Sequence, residues 1–180
     1  MGSDELLRTS LGDLLDLAHH QVHFAEAKNG ALLTLNFALI VGMVAVGGPS
    51  IAWQWKIYIF LVSAVLSIAA LVSVISFLPR LKPIEDRSLK ANGNVAFTGD
   101  IAAMGAAVFL GRLAEKLGVQ EAPSAYCQDV AAQAYVNARI AAGKFRLFKW
   151  AAYLTVGGLI VPSAWIVQQL GCGSLNIWGI

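Results

Sequence analysis

Three long stretches of this chain carry no charged side chain. Asn29 to Trp55 contains no Asp, Glu, Lys or Arg, nor does Ile57 to Pro79, nor do the 31 residues after Lys149. A charge at the centre of a membrane helix costs about 2.5–3.5 kcal/mol, and a helical span needs about 20 apolar residues. The three windows therefore predict three membrane spans, near Ala31–Gly48, Ile57–Leu78 and Trp150–Leu170. The chain is 13% charged against about 25% for a typical soluble domain, so the membrane is part of what this protein does.

The charges that remain are sorted by side. Of 13 Lys and Arg, only Lys56 falls in the short loop between the first two spans. The other basic residues, and all 11 acids, lie before the first span or between the second and third. Basic residues stay cytoplasmic, so the N-terminus and the segment 80–149 are expected inside and the C-terminus outside. Trp53 and Trp55 suit the outer interface. The first 30 residues hold Asp4, Glu5, Arg8, Asp13, Asp16 and Glu26 and do not read as a signal peptide. Cys127 and Cys172 fall on opposite sides in this topology, which leaves no internal disulfide.

Apolar residues Leu6, Leu7, Leu11, Leu14, Leu15, Ala18, Val22 and Ala25 recur at helical spacing, and no proline interrupts the chain before Pro49. A helix from Asp4 to Gly47 is expected to run unbroken, with Gly47-Gly48-Pro49-Ser50 as the turn to the second span. Thr98 or Asp100 is expected to cap a helix that continues through Ile101–Leu117 and stops at Gly118. Ser124 is expected to cap the next, which has no breaker until Gly157-Gly158 and Pro162. The expected fold is an all-α membrane protein: three transmembrane helices with long helical stalks extending into a cytoplasmic helical bundle. Its parts are a stalk helix (1–30), a transmembrane hairpin (31–79, spans 31–48 and 57–78), a sensor region (80–149), a third span (150–170) and an outer tail (171–180). Leu11, Leu15, Val22, Ile101, Met104, Val108, Leu113, Val130, Tyr135 and Ile140 are the expected core of the bundle. Three spans without a second half do not make an inverted-repeat transporter.

Few residues offer catalytic chemistry. No nucleophile–base–acid set, phosphate-binding glycine loop or metal motif is visible, so no enzyme activity is expected. His19, His23 and Glu26 share a helix face at i, i+4 and i+7, a spacing that can hold zinc. No HExxH sequence or further cytoplasmic His accompanies them, and no metal is assigned. More telling is Phe24-Ala25-Glu26-Ala27-Lys28-Asn29-Gly30-Ala31-Leu32-Leu33, which sets an acid and a base two apart directly before a span. A membrane flank needs only the lysine, and snorkelling of Lys28 is its structural reading.

This stretch resembles the opening motif of the transmembrane effectors of Pycsar, the bacterial anti-phage systems that signal with cyclic pyrimidine mononucleotides. Two further stretches are similar: Phe97-Thr98-Gly99-Asp100-Ile101-Ala102 after the second span, and Ala132-Gln133 to Ile140 with Lys144-Phe145 and Leu147 before the third. Glu26 stands where the family usually has Asp, and Asn29 where Ala is usual. The resemblance implies a protein of the bacterial inner membrane that binds cyclic CMP or cyclic UMP in the cytoplasm, then impairs the membrane and causes abortive infection. For such a ligand the chain's own chemistry offers Glu26, Lys28, Asn29, Asn94, Asp100, Arg139 and Lys144 as the expected binding residues. Lys28, Arg139 and Lys144 suit the phosphate, Asn29 and Asn94, with Gln133 and Asn137, a base edge, and Glu26 and Asp100 a hydroxyl or amine. Phe97, Tyr126, Tyr135 and Phe145 are the candidates for stacking. The expected partners are the nucleotide, the lipid bilayer and further copies of the chain, with no cofactor and no nucleic acid. Small residues Ser63, Ser67 and Ala70 on one face of the second span suit close helix packing, between copies or within one chain. The alternatives are a constitutive membrane adaptor and a small channel without nucleotide control.

Overall fold

The computed structural model describes residues 2–47, 51–78 and 93–174, with backbone only at 3, 46, 161, 162 and 164–174. The described residues form five helices: α1 (Ser3–Val46), α2 (Trp53–Ile75), α3 (Thr98–Met104), α4 (Ala106–Leu117) and α5 (Ala125–Ser174). The turn at Gly48-Pro49-Ser50, the connection 79–92 and the end of the tail from 175 lie outside the described residues. The long rods expected at both ends are present, since α1 is 44 residues and α5 is 50. The backbone of α5 stays helical through Gly157-Gly158 and Pro162, which the sequence suggested as breakers.

Two compact units divide the chain. One comprises Met1–Ala27 with Pro79–Arg146, the other Lys28–Leu78 with Leu147–Ile180. The first has a conventional apolar core. Leu7 and Leu11 of α1, Ile101 and Met104 of α3, Phe109, Leu110 and Leu113 of α4 join Cys127, Ala131, Ala134 and Ala138 of α5 in one buried cluster. The α5 contribution repeats at i, i+4, i+7 and i+11, one helix face, and its small side chains let neighbouring helices come close. Of the expected core, Leu11, Ile101, Met104, Leu113 and Tyr135 are buried, while Leu15, Val108, Val130, Val22 and Ile140 are half-buried.

One expectation fails here. The helix foreseen from Ile101 to Leu117 is two helices, because Gly105 takes φ 85° and ψ 155°, backbone space that is essentially restricted to glycine. The change of direction lets both Met104 and Phe109 reach the core. Neither Thr98 nor Asp100 caps α3; Phe97 holds the N-cap position without a side-chain bond. Gly118 ends α4 in the left-handed conformation, as foreseen. Ser124 Oγ accepts from the Cys127 N–H at 3.4 Å, which makes it the cap of α5.

The second unit is inverted. Large apolar side chains cover its outside: Phe60 is 72% exposed and Phe37 65%, whereas Asn29, Asn36, Ser73 and Thr155 are buried. Exposed apolar surface on this scale marks contact with lipid or protein. Among the described residues two helices, Asp4–Ala45 and Trp53–Ile75, are long and apolar enough to cross a membrane. The described residues are thus all-helical in their regular structure, with two candidate spans.

Candidate ligand-sensing site

The first unit brings together two residues that stand 118 positions apart. The Lys144 Nζ of α5 donates to Glu26 Oε1 of α1 at 2.5 Å. The Lys144 side chain is 12% exposed and that of Glu26 36%. His23, one turn before Glu26, lies 3.6 Å from the other carboxylate oxygen. The hydrogen bond from Lys144 holds the Glu26 carboxyl below its usual range, against partial burial, with the charges of Lys144 and His23 acting in the same direction. Beside the pair, Phe24 and Phe145 meet edge to face, their centroids 6.2 Å apart. An acid, a base and an aromatic from each helix therefore fix α1 against α5 at the end of this unit.

The remaining expected residues fall in separate groups. Asp100 accepts from the Asn94 N–H at 2.9 Å, and the Asn94 side-chain oxygen accepts from the Ala96 N–H at 3.0 Å. Both side chains brace the loop entering α3. Gly93 belongs to the same arrangement, since a Cβ there would lie 3.0 Å from Asp100 Cβ. Arg139 donates to the Tyr135 hydroxyl at 3.0 Å, with its guanidinium 5.7 Å from that ring. Lys28 and Asn29 belong to the second unit: the Lys28 ammonium sits 5.7 Å from the Phe148 ring centroid, and Asn29 is buried. Of the expected stacking residues, Tyr126 lies against the Arg8 guanidinium and Phe97 packs over Gly99.

Sequence reasoning quoted Phe24 without giving it a role, and missed Phe148 and the Asn36–Thr155 contact of the second unit. Thr155 Oγ1 lies 2.9 Å from Asn36 Oδ1, with both residues buried. The signal was an Asn within a leucine-rich span, where an amide needs a partner. A cavity of about 850 Å³ in the second unit, lined by Leu39, Gly42, Met43, Trp55, Tyr58 and Ile59 among others, contains none of the expected ligand residues. Among the described residues no group of three His, Cys, Asp or Glu is arranged to hold a metal ion.

Among the described residues, an apolar-coated helical unit and a second helical unit with its own core, both built from parts of α1 and α5, define a membrane-associated helical protein. The family described as "Pycsar effector protein domain" matches residues 10–170. The Pycsar effector protein RsPycTM of a Rhizobium species is 33% identical over 162 residues, 83% of this chain and 93% of that relative. The chain belongs to the Pycsar effector family. Membership sets it among anti-phage membrane effectors, which are not a known enzyme family. No solved structure matches it.

Proposed function

We propose that this chain senses a cyclic pyrimidine mononucleotide, cyclic CMP or cyclic UMP, in the cytoplasm and responds by impairing the inner membrane, ending infection with the host cell. In this reading the chain spans the membrane three times, at 31–48, 57–78 and 150–170, with its N-terminus inside and its C-terminus outside. Segments 1–30 and 80–149 form the sensor, 171–180 is an outer tail, and several copies act together. No cofactor or catalytic step is needed.

The Glu26–Lys144 pair carries this reading. Both residues belong to the stretches that resemble the family, and they meet as anion and cation. A cyclic nucleotide has one phosphodiester charge, and an ammonium is a compact partner for it. Phosphate taking Lys144 from Glu26 changes what holds α1 to α5. A ligand shifts a conformational balance only through unequal affinity for its states, and this exchange of anions provides that inequality. Phe145 is an aromatic face on α5, and Arg139, bonded to the buried Tyr135, is a second cation on the same helix. Asp100 and Asn94 contribute by holding the loop before α3, whereas Lys28 and Asn29 belong to the transmission of the signal into the apolar unit.

The test is leakage of dye-loaded proteoliposomes on adding each of 3′,5′-cyclic CMP, UMP, AMP and GMP. Release with one pyrimidine nucleotide, abolished by Lys144→Met, supports the reading. Equal release with all four, or release without any, favours a channel free of nucleotide control.

A further inference from the structure

The interior of the second unit has polar groups that its packing leaves unmatched. Among the described residues, Asn36 Nδ2, Ser63 Oγ and Ser76 Oγ are buried without a hydrogen-bond partner. Asn36 is fully enclosed, and Thr155, the residue that bonds its side chain, is already committed. The Thr155 hydroxyl has a single proton but two acceptors at 2.9 Å, Asn36 Oδ1 and the Ala151 carbonyl. Turning the amide lets Nδ2 donate to Thr155 Oγ1 while Thr155 donates to Ala151, and that turn is a free choice of assignment. The amide oxygen then becomes the unmatched atom. In either orientation one amide group is enclosed and unsatisfied, in a unit whose exterior is apolar. Leucine at position 36 would carry no such cost.

These groups lie in sequence along the unit. A Cβ on Gly30 falls 3.8 Å from the Phe77 ring, and one on Gly47 falls 3.3 Å from Ile59, so α1 and α2 run antiparallel. A Cβ on Gly158 falls 2.9 Å from Val65 Cγ1, which fixes the level of α5. Along the axis Ser76, Ser73, the Asn36–Thr155 contact and Ser63 follow one another in that order, with Ser63 and Ser76 on opposite flanks of the buried stripe of α2. Ser63 and Ser76 are thirteen residues apart, about 20 Å along a helix, roughly two-thirds of a bilayer core. Beyond Ser63, at the level of Ile59, lies an open and mostly apolar groove of about 850 Å³.

We propose that this seam is a latent path for water and small monovalent ions, closed at rest by the Asn36–Thr155 contact. The serine hydroxyls and the surplus amide group are the ligands that water meets when the three helices part. Polar side chains inside membrane helices mark such paths, and packed helices change between discrete arrangements. The proposal rests on the reading of a ligand-triggered effector for its natural trigger, but the seam can be tested without that trigger.

The experiment measures ion leakage from proteoliposomes with no nucleotide present. A carboxylate at the constriction favours hydration, so Asn36→Asp is expected to leak at least tenfold faster than both the unaltered protein and Asn36→Leu. Phe37→Asp, one residue on at an exposed lipid-side position, is expected to stay tight. Thr155→Asp repeats the test from α5 should Asn36→Asp reconstitute poorly, and circular dichroism reports helix content for each. Carboxylates at 36 and 155 that leak no faster than Asn36→Leu overturn the proposal, as does equal leakage from Phe37→Asp. A second arm adds cyclic CMP or UMP: Asn36→Leu is expected to bind as the unaltered protein does while losing at least tenfold in triggered leakage. If the unaltered protein neither binds nor leaks with any nucleotide, the sensing reading fails, and the ligand-free arm still decides the seam.

Discussion

Replacing Glu26 by Gln and Lys144 by Met, singly and together, should show a strong and lopsided coupling. At 2.5 Å a carboxylate and an ammonium attract by about 6–7 kcal/mol at an effective dielectric constant of about 20. Desolvation takes back much of that, and the 36% exposure of Glu26 admits solvent screening. A coupling of about 1–3 kcal/mol remains, above the roughly 0.2–1 kcal/mol of exposed pairs and below the 3–5 kcal/mol lost when one partner of a fully buried pair is removed. Exposure sets the order of the single variants. Glu26→Gln leaves the more enclosed ammonium without its carboxylate and should cost more than Lys144→Met, which leaves the better solvated carboxylate. The double variant should resemble Lys144→Met. The assay is thermal unfolding of the detergent-purified protein, with ligand absent, across the four proteins of the cycle. Coupling under about 0.5 kcal/mol, or Lys144→Met as the worst variant, would refute this reasoning. The pH dependence follows from the same pair. The folded-state pKa of Glu26 is lowered from 4.5, so its contribution is complete above the unfolded value and fades as pH falls through the folded one. Stability of the unaltered protein should drop faster than that of Glu26→Gln as the pH goes below about 4.5.

Three further outcomes are expected. Gly105→Ala should lower stability by about 1–3 kcal/mol, since alanine is strained at that φ and ψ, as read by thermal melting followed by circular dichroism. Asp100→Asn keeps the shape but removes the charge from the bond to the Asn94 N–H, and should cost about 1 kcal/mol and speed hydrogen exchange at Asn94. Gly158→Val should disturb α2–α5 packing, because a Cβ there meets Val65 at 2.9 Å, whereas Gly42→Ala has open space and should be near neutral, with the folded yield after purification as the readout.

The sequence made helices legible wherever a long apolar period or a charge-free window ran without interruption, as in α1, α2 and α5. Caps set by local sequence, Ser124 through its hydroxyl and Gly118 through its left-handed backbone, were legible too. The break at Gly105 was not, because a single glycine inside an apolar period is tolerated in a helix at a cost of about 1 kcal/mol, and only tertiary packing shows that it turns. Residue types also concealed roles. Asp100 read as a ligand group, yet its carboxylate secures a backbone N–H six residues earlier. Glu26 and Lys144 were each visible in their motifs, but a pairing across 118 positions leaves no local periodicity to read. Asn36 was passed over as part of a leucine-rich span, since hydropathy averages away a single amide.

Calorimetry of the detergent-purified protein with 3′,5′-cyclic CMP, UMP, AMP and GMP tests the central claim most directly. The account predicts saturable binding of one pyrimidine nucleotide, lost in Lys144→Met and kept or strengthened in Glu26→Gln, where no carboxylate competes for the ammonium. No heat with either pyrimidine nucleotide, or undiminished binding by Lys144→Met, would contradict it.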